Sequence, residues 1–245
     1  MPYEAPIVVA VNGALVIGSW TLLPQRILHL LFTLHGSLAL PLAMAAWMYA
    51  DVPATNVLGS DAARTLAALD DPAMMRRLLF AKRAVLWMIA TPVCVVAAVF
   101  VGLRAHALVS TLLVIAAVVL LPPGALPAAG WFGMRWPYHA IPLRERWEHR
   151  EPTRRMLWRW LVVVCAPYVW VPAIIAVIAA PAYLAWVTTH GRPGAKVSDA
   201  AFAVGVAVST IVAMFTYVLG AKVGVRILAS RRDALEDYLS HPELG

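Results

Sequence analysis

The sequence predicts an all-α membrane protein, and its composition and charge pattern carry that prediction. Of its 245 residues, 62% are hydrophobic and only 13% are charged, whereas soluble domains average about 45–50% apolar and 25% charged residues. The mean hydropathy is +0.75, which excludes an ordinary water-soluble globular enzyme. The formal charge is +7, but the cations stand between apolar blocks, where they act as topology signals.

Six apolar segments are long enough to cross a bilayer as helices, because a hydrocarbon core of about 30 Å needs about 20 apolar residues. The first has no Lys or Arg before it, so we interpret it as a retained span rather than a signal peptide. The chain is therefore predicted to form one transmembrane domain over residues 1–245. The predicted spans cover residues 7–23, 27–50, 84–103, 107–126, 161–187 and 200–221.

Basic residues divide unevenly between the two sides that six spans define. Sixteen of the twenty Lys and Arg residues fall in the loops 51–83 and 131–160 and in the C-terminal tail, and four fall in the other loops. Positive residues concentrate in cytoplasmic loops. We therefore expect the N and C termini and both long loops to be cytoplasmic, with very little of the chain outside.

The first cytoplasmic loop, residues 51–83, is the most patterned polar stretch. Asp61 or the serine before it is placed to cap one short helix. Asp70 or Asp71 is placed to cap a second short helix, with Pro72 at its first position, where the missing N–H costs nothing. Two short amphipathic helices are therefore predicted to meet at an Asp-Asp-Pro corner.

The second of these helices places cations beside apolar residues. Methionines and leucines recur at helical spacing, and Arg76, Arg77 and Lys82 supply the positive charge. Spacing alone leaves two interpretations open. The helix lies on the anionic inner leaflet with its arginines on lipid phosphates, or it belongs to a rigid helix pair that docks a cytoplasmic partner.

The same loop resembles the loop between the second and third spans of type-2 ABC exporter permeases. The motif that carries the resemblance reads Asn56-x-x-Gly59-x-Asp61, then Pro72-x-x-x-Arg76-Arg77 and Lys82 before a span. The resemblance covers about residues 51–160, and the prediction of six spans with both ends inside reinforces it. It implies a bacterial cell-membrane permease that moves a hydrophobic or amphipathic substrate.

The resemblance also implies how such a permease is energised. A separate ATPase would hold ATP and Mg²⁺ and hydrolyse the ATP, so this chain is not itself an enzyme and binds no cofactor. The permease pairs with a second copy or a sister permease. The residues implied to form the ATPase-coupling loop are Asp61, Asp70, Asp71, Arg76, Arg77 and Lys82.

The second long loop, residues 131–160, combines seven arginines with aromatic residues. The lipid headgroup region favours this combination, so we expect an interfacial helix over residues 143–160. Basic and aromatic residues also bind single-stranded nucleic acid. Beside a membrane the expected partner is lipid, and no nucleic acid is predicted.

Several kinds of chemistry have no matching residues. The chain has no P-loop motif, and no Asp or Glu lies at mid-depth in a predicted span, where proton-driven or sodium-driven transport needs one. No catalytic or metal site is predicted, so energy is expected from a partner protein. An intramembrane enzyme ranks last because paired catalytic groups are missing at membrane depth.

The histidines define the main alternative function. His29 and His35 lie six residues apart in the second span, on different faces of one helix. The other five histidines fall in loops, at span ends or in the tail, so paired haem ligands on facing helices are not evident. His35 is the deeper one and is the candidate for a polar substrate contact in a cavity. The alternative is an integral-membrane anchor or haem/quinone-binding subunit of a redox complex.

Overall fold

The structure is a computed structural model that describes residues 4–22, 39–50, 52–139, 153–190 and 199–241. These residues are almost entirely helical, and no strand occurs among them. A 3₁₀ turn occurs at Gly59–Asp61. In chain order the helices are α1 (Glu4–Leu22), α2 (Ala39–Met48), α3 (Val52–Thr55), α4 (Ala62–Ala68), α5 (Pro72–Ala105), α6 (Leu108–Leu120), α7 (Pro122–Arg135), α8 (Thr153–His190), α9 (Asp199–Ser230) and α10 (Arg232–Ser240).

Four helical segments are long and apolar enough to cross a membrane, and they correspond to the last four predicted spans. The predicted all-α membrane fold is confirmed to this extent. The helices α5, α8 and α9 run beyond the predicted limits of their spans at both ends, because the backbone hydrogen bonding of a helix continues into the polar residues that flank the apolar stretch. The four segments are Pro72–Ala105, Leu108–Arg135, Cys165–Ala185 and Asp199–Ser230.

The first two predicted spans are described less completely. The first is helical as α1, with a shorter apolar stretch at Ala10–Ser19. Of the second, α2 and the two residues after it are described. His29 and His35 lie outside the described residues, as do residues 143–152 of the predicted interfacial helix. Six spans and cytoplasmic termini therefore stay predictions.

The helix that begins at Pro72 is not a separate short helix, so that prediction is wrong. α5 continues without a break for 34 residues and includes the whole third span. No glycine or proline interrupts the stretch before Pro92, and Pro92 itself lies inside the helix. α5 ends at Ala105, where His106 adopts a φ of 51° and its N–H bonds to the carbonyls of Gly102 and Leu103, a left-handed C-terminal cap.

The fourth span is likewise longer than predicted, reaching Arg135 rather than residue 126. It breaks at Leu121 because two prolines follow, and proline lacks the N–H that a continuous helix needs. Pro122 instead starts α7 at the first position, and Pro127 lies within the helix. Residues 131–135 of the predicted interfacial loop are therefore part of α7.

Small residues bring α9 close to α7 and α8. A Cβ at Gly124 would lie 2.6 Å from the Ala213 carbonyl oxygen. A Cβ at Gly205 would lie 2.8 Å from the Ala182 Cα. These distances leave no room for a side chain, so small residues are what allow α9 to pack this closely against its neighbours.

The two ends of the bundle differ in composition. At one end α6 and α9 begin side by side, and the Ser110 hydroxyl donates to the Asp199 carboxylate over 2.9 Å. At the other end three segments pack together, and we call them the polar cap: residues 52–83, 131–139 and 223–241. Its arginine-rich segments are those predicted to be cytoplasmic.

Candidate functional site

The polar cap has a hydrophobic core of its own, separate from the core of the bundle. Side chains from the first long loop, from α7, from the end of α9 and from α10 form it. The predicted coupling loop therefore packs against α7, α9 and α10 through its buried face and does not project alone. The buried members are Val57, Leu58, Ala68, Met75, Leu79, Met134, Ile227, Leu228 and Leu235.

Asn56 and Gly59, from the motif that carries the resemblance, join the first loop to the segment after α7. The Asn56 side-chain amide donates to the Tyr138 carbonyl over 2.9 Å, and its oxygen accepts from the Gly59 N–H at 3.2 Å. A Cβ at Gly59 would lie 1.9 Å from the Tyr138 carbonyl oxygen. Only glycine fits this contact, so the motif has a structural role at the seam between the loops.

Asp71, rather than Asp70, caps α5. Its carboxylate accepts from the N–H of Ala73 at 2.7 Å and of Met74 at 3.2 Å. The hydrogen bonds from the Met74 and Ala73 backbone hold the pKa of Asp71 below its usual value. Asp70 instead pairs with Arg232 at the start of α10, so the corner is tied to the C-terminal helix.

Asp61 lies directly before α4, but its side chain makes no capping hydrogen bond. The prediction that it caps this helix is therefore not met, because its carboxylate turns toward Arg64 at 3.5 Å. Thr65 stabilises the turn instead: its hydroxyl hydrogen-bonds the carbonyls of Leu58 and Asp61, each at 2.9 Å.

Lys82 faces inward, although its motif position suggested a docking role. Its ammonium group donates to the Val57 carbonyl over 2.7 Å. This bond ties α5 to the chain between α3 and the 3₁₀ turn. Lys82 therefore stabilises the cap, and it does not join the exposed charged surface.

Arg76 and Arg77 have exposed side chains in the first turns of α5, and both lie close enough to Asp71 to influence its carboxylate. Asp70 is exposed beside them. We call Asp70, Asp71, Arg76 and Arg77 the corner surface. It carries both signs of charge on a packed scaffold, and four of the six predicted coupling residues meet there.

Arg83 is the residue that sequence reasoning missed. The sequence presents it as one of the cations of the amphipathic helix in the first long loop, yet Arg83 is 9% exposed and its Nε has no hydrogen-bond partner in the described part of the chain. Tyr217 of α9 is the polar side chain that interacts with it. Its spacing from Leu79 places it on the buried face of α5, and that signal was available in the sequence.

The bundle contains a partly open apolar cavity of about 490 Å³, within the range of ligand pockets. It lies between α2, α6, the start of α7, α8 and Phe202 of α9. None of the described side chains that line it is charged. The two lining side chains with a polar group are Trp47 and Tyr183. The cavity suits a molecule with a hydrocarbon body.

No family model, curated protein or solved structure gives a significant match to this chain. The function is therefore argued from the corner surface, the cap and the cavity.

Proposed function

We propose that this chain is the permease subunit of an ATP-driven ABC exporter in the bacterial cell membrane, energised by a separate ATPase. One observation carries the proposal: the corner surface is fixed at the start of a helix that continues into the bundle. Pressure at Arg76 and Arg77 acts on α5 directly. At 1.5 Å per residue, its 34 residues extend about 50 Å, longer than the hydrocarbon core.

The cap connects the corner surface to further membrane helices. Asn56 hydrogen-bonds to the segment that follows α7. Arg232, bound to Asp70, stands one residue beyond a turn at the end of α9. A displacement of the corner is therefore shared by α5, α7 and α9. ATP binding between two ATPase subunits would favour one arrangement of these helices over another, because nucleotide binds the two states with different affinity.

The mixed charge of the corner surface supports docking to a protein rather than to lipid. An anionic leaflet attracts arginine but repels the carboxylates of Asp70 and Asp71. A protein surface can place complementary charges against both signs. The inner-leaflet interpretation is thereby weakened for this corner, and an ATPase with an acidic and basic groove is the partner we infer.

The remaining parts of the proposal follow from the same assignment. ATP and Mg²⁺ belong to the ATPase, and a second copy of this chain or a sister permease completes the pathway. With six spans and cytoplasmic termini, the cap lies on the cytoplasmic side of the membrane, where the ATPase would bind. The apolar cavity is then the place where a hydrophobic or amphipathic substrate is held.

Copurification with matched charge reversals tests the proposal. The protein is extracted from its native membrane as wild type, as Arg76→Glu/Arg77→Glu, and as Lys222→Glu/Arg226→Glu. The second pair makes the same charge change at exposed positions in the last turns of α9, which are not part of the corner surface. We expect an ATPase to copurify with the wild type and the second variant, and to be lost from the first.

Two results would contradict the proposal. One is that no ATPase accompanies the wild-type chain. The other is that the corner reversal retains the ATPase and its activity as fully as the control reversal does. A haem Soret band in the purified protein would instead support the redox-subunit alternative.

A further inference from the structure

Arg83 is a buried cation with an unused hydrogen-bond donor. The residue is 9% exposed, and its Nε–H has no acceptor in the described part of the chain. Arginine stays protonated in proteins, so this charge is not lost by titration. A charge that is buried without a counter-ion costs free energy, and an anion beside it would recover that cost.

The partner that the structure gives Arg83 does not neutralise it. Tyr217 of α9 hydrogen-bonds to the guanidinium group, and a tyrosine hydroxyl carries no charge. No ion pair of the described residues includes Arg83. The hydroxyl that accepts a hydrogen bond from the guanidinium keeps its own proton, which it can donate to an anion. Arg83 and Tyr217 together therefore present donors to an acceptor from outside the pair.

Gly130 of α7 leaves space beside the guanidinium group. A Cβ at this position would lie 3.8 Å from the Arg83 Nη2 and 3.5 Å from both methyl carbons of Val57. These are ordinary contact distances, so a methyl group would fit where glycine leaves the position empty. Nη2 and Nε lie on the same edge of a guanidinium group, and such an edge holds two oxygens of a phosphate or carboxylate side by side. The empty position is therefore next to the edge that carries the unused donor.

The place of Arg83 along α5 favours phosphate among the possible anions. At 1.5 Å per residue, the predicted span over residues 84–103 extends about 30 Å, which is the thickness of the hydrocarbon core. Arg83 directly precedes this span, at the level where the phosphates of lipid headgroups lie. Tyr217 is partly exposed, so the pair is not sealed from the surface of α9.

We propose that Arg83 and Tyr217 form a binding site for a phosphate oxyanion where the polar cap meets the bundle. Two phosphate oxygens accept hydrogen bonds from Nε and Nη2 of Arg83, and one accepts from the Tyr217 hydroxyl. The phosphate is supplied by the headgroup of a membrane lipid or as free inorganic phosphate. The site includes no residue of the corner surface, and it does not rest on the exporter assignment.

Native mass spectrometry of the protein in an uncharged detergent measures the affinity for the first lipid molecule that binds. Phosphatidic acid and diacylglycerol with identical chains differ only in the phosphate. We expect the wild type to bind phosphatidic acid at least tenfold more tightly than diacylglycerol. Inorganic phosphate is then added as a competitor. Displacement of phosphatidic acid at equal concentration assigns the site to free phosphate, and retention of the lipid assigns it to headgroups.

Two arginine variants separate this site from the general attraction of a basic protein to an anionic lipid. Arg83→Met keeps the apolar stem and removes the charge, so it should weaken phosphatidic acid binding at least tenfold. Arg64→Met removes the same charge from the polar cap at a side chain that is 78% exposed. It should bind phosphatidic acid as the wild type does. Diacylglycerol binding should be equal in all three proteins.

Two further variants keep the charge and test the site if Arg83→Met does not fold. Tyr217→Phe removes one donor, and Gly130→Ala places a methyl group beside Nη2 at distances that the fold accommodates. Each should weaken phosphatidic acid binding about three- to tenfold through the loss of one hydrogen bond. Gly18→Ala is the control, because a Cβ at Gly18 meets nothing within 4 Å, and it should bind as the wild type does.

Three results would overturn the proposal. The first is that phosphatidic acid binds no more tightly than diacylglycerol. The second is that Arg83→Met and Arg64→Met weaken its binding equally. The third is that Tyr217→Phe and Gly130→Ala both bind phosphatidic acid with the affinity of the wild type.

Discussion

At the scale of single residues, one motif contains side chains with two different tasks. Asn56, Gly59 and Lys82 turn inward and hold the polar cap together. Arg76 and Arg77 turn outward on α5. All five are small or polar residues of the kind found in exposed loops, so the sequence does not show which of them face inward and which are exposed. The separation follows from packing. Asn56 and Lys82 donate hydrogen bonds to backbone carbonyls that would otherwise be unsatisfied, and Gly59 lies against another carbonyl where a side chain would not fit.

Asn56 gives the sharpest residue-level prediction. Asn56→Ala removes the donor to the Tyr138 carbonyl and the acceptor for the Gly59 N–H. Because Asn56 is 4% exposed, water does not easily replace these bonds. We expect the cap to lose about 1–3 kcal/mol of stability, measured as faster hydrogen–deuterium exchange over residues 54–61.

Ser60→Ala is the control for this variant, since Ser60 lies in the same 3₁₀ turn with a partly exposed side chain. It should exchange at the wild-type rate. Wild-type exchange in Asn56→Ala would show that the seam between the loops does not depend on this amide.

At the scale of helices, the packing of α10 helps to hold the first long loop, residues 51–83, against the rest of the polar cap. This short helix is amphipathic, with Leu235 and Leu239 buried against the cap core and its charged residues outside. Asp70–Arg232 is an exposed ion pair, worth at most about 1 kcal/mol. Burial of the leucines is therefore the larger contribution to holding α10 against α4.

Leu235→Ala should detach α10 from the cap. Leu235 is 1% exposed, and removing a buried leucine side chain costs about 2–5 kcal/mol. Limited proteolysis should then cut residues 231–241 faster than in the wild type. Leu235→Met, which nearly conserves volume, should cost less than about 1.5 kcal/mol and resist cleavage; equal cleavage of both variants would contradict the packing role.

At the scale of the whole molecule, the four long helices place two chemically different ends on opposite sides of the bundle. The cap gathers arginine-rich segments at one end, and the turn at His106 lies at the other. If the positive-inside rule governs this chain, the cap faces the cytoplasm. Labelling one position at each end of the bundle can therefore determine which end faces the cytoplasm.

Single cysteines provide that measurement. Cys94 and Cys165 are the native cysteines, and both are first replaced by alanine and serine. His106→Cys and Arg64→Cys, both at exposed positions, are then labelled with a membrane-impermeant thiol reagent. We expect His106→Cys to react in intact cells and Arg64→Cys only after permeabilisation. The reverse pattern would invert the predicted topology and contradict the proposal that an ATPase docks at the cap.

Much of the helical framework is determined by the sequence alone. The length of the apolar segments predicted the last four spans. The Asp-Asp-Pro sequence predicted that a helix begins at Pro72 with an aspartate as its N-cap. Both are local properties, because helix spans and caps depend on neighbouring residues and on the hydrophobicity of one segment. The resemblance to exporter permeases and the six-span topology stay predictions.

Only the tertiary structure shows which polar residues are exposed at the surface and which bond within the cap or are buried. Lys82 and Asp61 belonged to the predicted coupling loop but bond within the cap, while Arg83 is buried beside Tyr217. No local sequence pattern predicts the cavity between α2, α6, α7, α8 and Phe202 of α9. Each depends on segments far apart in the chain coming into contact, and hydrophobic periodicity specifies which face is buried without specifying the partner it meets.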